Sequence, residues 1–315
     1  MENGCKNFEG TYLYGDDFSQ EEIEKWYNAE SEAFADMYGI KINDGESYGF
    51  HNLNILYGYR YLKNRETFHN ALGLGSSWGY EFLPVIDKIM KLTIIEPSLQ
   101  TRSSKLGEKL IPEYRSPNAK GNIEFPENSF DLITCFDTLH HIPNVSFVLK
   151  ELFRVLQPGG YMLLHEPIHS MGDRRNKRLG LTANERGIPK NYLLKIINQN
   201  RIEIVRKHYY FCMTSFLKRT LKKINTDSRS YLYFDRILSY LFAFNIHYSP
   251  TNRIQRISPT SIFCVLRKPI EENITDNGNE TNINHRSRRI YRKFSGRRGA
   301  ESELESMGGN KANKQ

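Results

Sequence analysis

From Phe68 onward, short apolar runs alternate with amphipathic stretches, and this alternation constrains the chain more than any other feature. Strand-like runs are read at Phe68–Leu74, Leu92–Glu96, Leu110–Tyr114, Phe130–Phe136 and Tyr161–His165. Helical periodicity lies at Gly79–Ile89, Val145–Leu156 and Lys190–Asn198, and Pro158-Gly159-Gly160 reads as a stop after the second of these. Ile202–Phe211 and Thr260–Arg267 read as two further strands. Short apolar strands separated by helices predict an α/β fold, a doubly wound and mostly parallel sheet covered on both faces. A chain of 315 residues is long enough to bury such a core.

The flanks are built differently. Ser19 and Glu22 form an S-x-x-E capping pattern, and Ile23, Trp26, Tyr27, Ala33, Phe34 and Met37 follow at helical spacing up to Gly39. A Tyr-rich segment runs from Tyr48 to Tyr61. The expected division is a helical extension or lid over 1–66, a main domain over 67–268 with a helical cap insertion at about 212–258, and a polar tail over 269–315. That tail has too little apolar content to fold alone.

Composition narrows the classes. The net charge is +8, and the stretch from Arg201 to Lys268 is rich in Lys and Arg. Such a face fits an anionic substrate, an acidic membrane surface or nucleic acid, and equally a solvated basic surface. The four cysteines, Cys5, Cys135, Cys212 and Cys264, are far apart with no C-x-x-C pair, which argues against a disulfide framework or a zinc site. Cys135 and Cys264 lie in apolar runs and read as core residues. The first residues show no basic segment followed by an apolar run, and no stretch reaches the length of a membrane span. A reducing, cytoplasmic compartment is the expectation.

The loop Ala71-Leu72-Gly73-Leu74-Gly75-Ser76-Ser77-Trp78-Gly79 follows a strand and opens a helix. Glycines there permit a tight turn and a close approach of backbone to a nucleotide. About 20 residues further on, at the end of the second strand, stands Glu96, the spacing at which an acid accepts both ribose hydroxyls of a nucleoside. The alternative for Glu96 is a favourable charge at the N-terminus of the next helix. These features define a nucleoside-bearing cofactor without choosing one.

The second half of the sheet separates the candidates. Phe125-Pro126-Glu127-Asn128-Ser129-Phe130-Asp131 leads through Cys135-Phe136-Asp137 to Leu139-His140-His141, and after one helix comes Leu156-Gln157-Pro158-Gly159-Gly160. This ordered set resembles the class I S-adenosylmethionine-dependent methyltransferases, in particular the small-molecule branch with an FP-x-x-SFD, LHH and L-x-PGG series. The resemblance runs from about Ala71 to Pro167, with a weaker echo to Lys268. It implies a Rossmann-like seven-strand sheet whose last strand is antiparallel, with S-adenosyl-L-methionine as cofactor across the strand ends. It further implies that Gly73 and Gly75 face the methionine portion, that Ser77 binds the cofactor through its backbone N–H, and that Glu96, with Pro97 beside it among the cofactor-binding residues, takes the ribose. Asn122 would meet the adenine amino group with Ile123 beside the ring, and Phe136 and Asp137 would line the methionine end. The chain departs from the family pattern at Ala71, usually an acid, at Ser77, usually a third glycine, and at Asn122, usually an Asp.

Methyl transfer from a sulfonium is an in-line displacement, governed mainly by proximity and orientation. An oxygen or nitrogen acceptor also calls for a general base, for which His140 is the first candidate and His165 the second; the alternative is that these histidines fix loops. Arg174, Arg175 and Arg186 follow the fifth strand and suit an anionic acceptor, such as a sugar acid or a phosphorylated or lipid-linked saccharide. No His and carboxylate spacing of the H-E-x-x-H kind occurs, so no metal is expected. The apolar segment Tyr231–Phe244 is expected to pack on the sheet as part of the cap, the other reading being contact with a membrane interface. No module for reading nucleic acid is visible. The sequence thus points to methyl transfer onto a small-molecule or saccharide acceptor. Two alternatives stay open: a nicotinamide-dependent oxidoreductase or epimerase on a Rossmann sheet, and a cofactor-binding protein without catalysis.

Overall fold

The computed structural model describes residues 10–38, 48–62, 64–173, 176, 178, 180–220 and 224–270. One compact unit spans Met1–Glu271; the second, Glu272–Gln315, lies outside the described residues, as do Cys5, Gly39 and the expected polar tail from 271 onward.

Among the described residues seven strands form one sheet: β1 (Ala71–Leu74), β2 (Leu92–Ile95), β3 (Glu113–Arg115), β4 (Phe130–Phe136), β5 (Leu156–Pro167), β6 (Glu203–Tyr210) and β7 (Ser261–Arg267). Their order is β3-β2-β1-β4-β5-β7-β6. The first five pair in parallel, and β7 runs antiparallel between β5 and β6. Every residue of β1, β2 and β4 is buried, which is what strands covered on both faces require. Side chains alternate between two cores. Leu132, Phe136, Leu163, Phe263 and Val265 belong to one, and Ile133, Cys135, Met162, Leu164 and Cys264 to the other. Each fully buried Leu or Phe contributes roughly 1.5–3 kcal/mol by leaving water. The cysteines Cys135, Cys212 and Cys264 are buried and free.

The helices follow the apolar spacing. In α3 (Val145–Val155), Val145, Val148, Leu149, Leu152 and Phe153 are buried, a single stripe laid on the sheet. Helix α4 (Lys190–Gln199) buries Leu193, Ile196 and Ile197 in the same way. Helix α1 (Gln20–Tyr38) begins at the expected capping box: Glu22 accepts the Ser19 N–H at 2.8 Å, and the Ser19 hydroxyl accepts the Glu22 N–H at 3.4 Å. The Tyr-rich segment forms α2 (His51–Tyr57) and a 3-10 turn at Tyr59–Leu62.

Four boundaries differ from expectation, each for a local reason. β1 starts at Ala71 because Asp131 captures the N–H groups of His69 and Asn70, leaving Phe68 in a lone bridge to Ile89. The expected helix over Gly79–Ile89 is a 3-10 helix, Tyr80–Lys88, with Pro84 inside it; proline supplies no N–H and clashes with an α-helical backbone. Leu110 bridges Leu106 instead of opening β3. Pro158-Gly159-Gly160 ends α3 but does not interrupt β5. Gly159 takes φ +77°, and Gly160 packs where a Cβ would meet the Gln157 carbonyl at 2.9 Å.

The cap carries α5 (Thr214–Thr220), α6 (Arg229–Leu241) and a 3-10 turn at Ala243–Asn245. Asp235 ties α6 to the end of β6 by accepting the N–H groups of Phe211 and Cys212 at 2.7 and 2.8 Å. Only one face of α6 packs inward, through Tyr231, Leu232, Asp235 and Ser239. Tyr233, Phe234, Ile237, Tyr240 and Leu241 remain exposed, so the apolar run is not consumed by packing on the sheet. Among the described residues no helix is long and apolar enough to cross a membrane.

Candidate active site

The strand order reverses between β1 and β4, so the loops at their carboxyl ends diverge and open a crevice. A cavity of about 750 Å³ fills it. Gly75, Ser77, Glu96, Pro97, Asn122, Ile123, Phe136, Asp137 and His165 all line that cavity. Sequence positions spread over 90 residues are thus brought to one wall system by the parallel register alone.

The floor is the loop after β1. Gly75, Ser77 and Gly79 have φ of 66°, 46° and 78°, left-handed backbone that glycine adopts without cost and serine tolerates less well. A Cβ on Gly75 would stand 2.4 Å from Oγ1 of Thr138, whose hydroxyl bonds the carbonyls of Leu74 and Phe136. Gly73 does not line the cavity. Its missing Cβ makes room for Ser76 and Phe82, so its role is to close the turn.

Glu96 is 1% exposed at the end of β2. Its carboxylate accepts the N–H of Ser77 at 3.0 Å and of Ser98 at 3.1 Å. Burial pushes its pKa up, and those two N–H groups pull against the rise. A carboxylate has about four acceptor positions. The loop takes part of that capacity, and Glu96 also lines the cavity. Ile123 is buried beside exposed Asn122 on the same wall, an apolar surface next to an amide as a purine ring and its amino group require.

At the other end, Asp137 leaves β4 with φ 47° and places a carboxylate oxygen 3.3 Å from Nδ1 of His165, which also meets the Tyr210 hydroxyl at 3.1 Å. The His165 ring stacks on Phe136 at 4.4 Å, and its Nε2 is buried without a hydrogen-bond partner among the described residues. Tyr27 and Glu30 of α1 and Tyr48 and Phe50 ahead of α2 also line the cavity. Glu81 also reaches the cavity. It accepts the hydroxyls of Ser76 and Thr134, while burial raises its pKa to about 7.

Two expectations need correction. His140 does not line the cavity: its Nδ1 faces Glu166 at 2.8 Å and its Nε2 faces Glu185 at 3.5 Å. Burial pushes its pKa down, but the hydrogen bond to Glu166 and the carboxylate of Glu185 beside it outweigh this and hold it at about 10. A group enclosed by carboxylates is badly placed to take a proton from an acceptor. Arg186, expected to greet an anionic acceptor, is 3% exposed, and its guanidinium donates to the carbonyls of Tyr14, His140, Ile142 and Pro143. It fastens the N-terminal segment to the turn after β4. Arg174 and Arg175 lie outside the described residues.

Sequence reasoning missed Glu30, Glu81, Tyr48, Phe50 and Glu185. The Tyr-rich composition was a signal for Tyr48 and its neighbours. Nothing local marks Glu30, whose partners come through tertiary contacts, whereas Thr182 and Glu185 form a T-x-x-E capping pattern that was a local signal for Glu185.

Comparison with known proteins agrees with this geometry. Residues 71–164 match the family described as a methyltransferase domain. The chain is 29% identical over 100 residues to the uncharacterized methyltransferase YcgJ of Bacillus subtilis, covering 30% of this chain and 40% of that one. It is 37% identical over 68 residues to a demethylmenaquinone methyltransferase of a Geobacillus strain, covering 20% and 29%. A ubiquinone biosynthesis O-methyltransferase of Pseudomonas fluorescens is 40% identical over 48 residues, covering 15% and 21%. The chain therefore spans less than half the length of these curated relatives. Among solved structures, a SAM-dependent methyltransferase of Leishmania major aligns at a TM-score of 0.49, with 12% identity over 77% of this chain and 83% of that one. Over residues 71–164 the chain is thus similar to methyltransferase domains.

Proposed function

We propose that the protein transfers a methyl group from S-adenosylmethionine to an oxygen or nitrogen of a small molecule bound at the aromatic end of the cavity. The observation that carries this reading is Glu96: a buried carboxylate at the end of β2, held by the N–H groups of Ser77 and Ser98, on the wall of a cavity of about 750 Å³. In this reading Gly75 and Ser77 hold the methionine portion, Glu96 and Pro97 the ribose, Asn122 and Ile123 the adenine, and Phe136 and Asp137 the reactive end. The cofactor, when bound, supplies the electrophilic methyl group. The chain orients it and shields it from water.

His165 replaces His140 as the proton acceptor. It lies on the cavity wall, Asp137 faces its Nδ1, and its Nε2 has no hydrogen-bond partner among the described residues. The wall of Tyr27, Tyr48, Phe50 and Phe136 suits a flat or apolar acceptor. Relatives named for demethylmenaquinone and ubiquinone support a small-molecule acceptor. An anionic or saccharide acceptor rests on Arg174 and Arg175, now without Arg186.

Calorimetry with S-adenosylmethionine, S-adenosylhomocysteine and NAD tests the cofactor. Binding of the first two and not the third is expected; binding of NAD alone would turn the reading to the oxidoreductase. Once an acceptor is found by a screen for masses that gain a methyl group, His165→Ala is expected to lower kcat by roughly 10²–10⁴ with cofactor affinity retained.

A further inference from the structure

Beside the cavity, and outside the cofactor's wall, two adjacent imidazoles converge on one carboxylate oxygen. Nε2 of His140 and Nε2 of His141 each stand 3.5 Å from Oε1 of Glu185. All three atoms lie within 4.8 Å of one another. A separation of 3.5 Å is long for a charge-assisted hydrogen bond, which closes to about 2.7–2.9 Å. It matches instead the distance between neighbouring ligands around a tetrahedral ion with bonds of about 2.0–2.1 Å, roughly 3.4 Å.

The far side of each ligand is held as a metal site requires. Metal-bound histidines turn their other nitrogen to a carboxylate, which fixes the ring and raises its donor strength. Here Nδ1 of His140 faces Glu166 at 2.8 Å, and Nδ1 of His141 faces Glu30 at 3.0 Å. Glu166 is itself anchored, its other oxygen accepting the N–H groups of Thr138 and Leu139 at 2.9 and 2.7 Å. The second oxygen of Glu185 accepts the Thr182 N–H at 2.6 Å, so Oε1 is the one left facing the histidines. The Thr182 hydroxyl in turn donates to Glu30 at 2.8 Å, closing the ring of supports. Four separate segments contribute, α1, the turn after β4, the end of β5 and the loop before α4, which is why no ligand spacing shows in the sequence.

We propose that His140, His141 and Glu185 form a binding site for a divalent ion of the zinc class, with Glu30 and Glu166 orienting the imidazoles. The other arrangement of three candidate ligands, Asp137, His140 and Glu166, is weaker, because both oxygens of Glu166 are already committed. His141 and Glu30 line the cavity, so an ion has a route in and faces the place where an acceptor would sit. The site is independent of the cofactor assignment.

The test is metal uptake by the full chain, purified without a metal-affinity tag, stripped with chelator and titrated with ZnSO4. One Zn²⁺ per chain is expected, and Co²⁺ should give the intense visible absorption of a four-coordinate ion. Glu185→Gln, which keeps the shape and an acceptor for Thr182, and His141→Ala should abolish both signals. Glu30→Gln should weaken Zn²⁺ affinity by about 10–100-fold, as loss of an orienting partner does. Melting of every variant in chelator separates lost metal from lost fold. A cooperatively folded wild-type chain that retains no stoichiometric Zn²⁺, or a folded Glu185→Gln chain that binds it as tightly as wild type, overturns the proposal.

Discussion

Trp26 donates its indole N–H to the carbonyl of His141 at 2.7 Å, and the guanidinium of Arg186 lies 4.8 Å over the same ring. One aromatic residue of α1 is thereby coupled to the turn after β4 and to the loop after β5. Replacing it by Phe keeps most of the apolar contact and removes the donor, leaving a carbonyl short of a partner. Trp26→Phe is expected to cost about 1–3 kcal/mol in denaturant unfolding. An unchanged midpoint with an unchanged slope would show that the N-terminal wall adds nothing to the cooperative unit.

Glu96→Ala is expected to weaken S-adenosylmethionine binding by about 1–3 kcal/mol, because ribose hydroxyls lose a charged acceptor. The same change strands the N–H groups of Ser77 and Ser98, so some loss of thermal stability should accompany it. Calorimetry on the folded variant is the measurement. Full affinity would reject this placement of the ribose.

Gly75→Ala puts a methyl group 2.4 Å from the Thr138 hydroxyl oxygen, at a position with φ 66°. Both effects act against it, and a non-glycine residue held in an unfavourable backbone region costs on the order of 1–3 kcal/mol. The expected result is a lower melting temperature together with weakened cofactor binding, since Thr138 must shift and the loop moves with it. Gly75→Ala combined with Thr138→Ser, which removes the Cγ2 methyl but keeps the hydroxyl, should recover only part of the loss.

Glu81 gives the protein a pH signature. Its carboxyl is pushed up to about 7 by burial, against hydrogen bonds from Thr134 and Ser76. In the unfolded chain it ionises at the ordinary 4.5. Between those values the unfolded state loses its proton and the folded state keeps it. The stability linked to this group is therefore complete below pH 4.5 and declines as pH rises toward about 7, by a total of about 3 kcal/mol. Glu81→Gln, which preserves an acceptor for both hydroxyls, should flatten that part of the stability profile measured by denaturant titration. A parallel slope in the two proteins would place the ionisation elsewhere.

The sheet was legible because inner strands must be apolar throughout. Phe130–Phe136 emerges with both ends as expected, since nothing local competes with it. β1 is shorter than its apolar run because Asp131, sixty residues away, takes the N–H groups of His69 and Asn70. The cavity wall was readable in part for a related reason: Gly75 and Glu96, which line it, sit at fixed offsets from strand ends. Arg186 shows the limit. An arginine in a loop reads as a solvated or ligand-facing charge, and only the folded chain reveals four carbonyls converging on it. The same holds for the histidine partners of Glu30 and Glu185, which lie 111 residues away in one case and about 45 in the other.

The position of β7 has a consequence for how the chain is made. It is the last of the sheet's seven described strands in sequence yet sits between β5 and β6. On the ribosome, β5 and β6 are complete well before their common neighbour exists, and neither can pair with the other through the gap. Until Ser261–Arg267 emerges, the nascent chain presents two long strand edges with unsatisfied N–H and C=O groups. Synthesis halted before that point leaves a species inclined to associate through those edges. Closing the sheet thus waits on the emergence of β7, and a premature stop upstream of Ser261 should yield aggregate in place of a smaller folded domain.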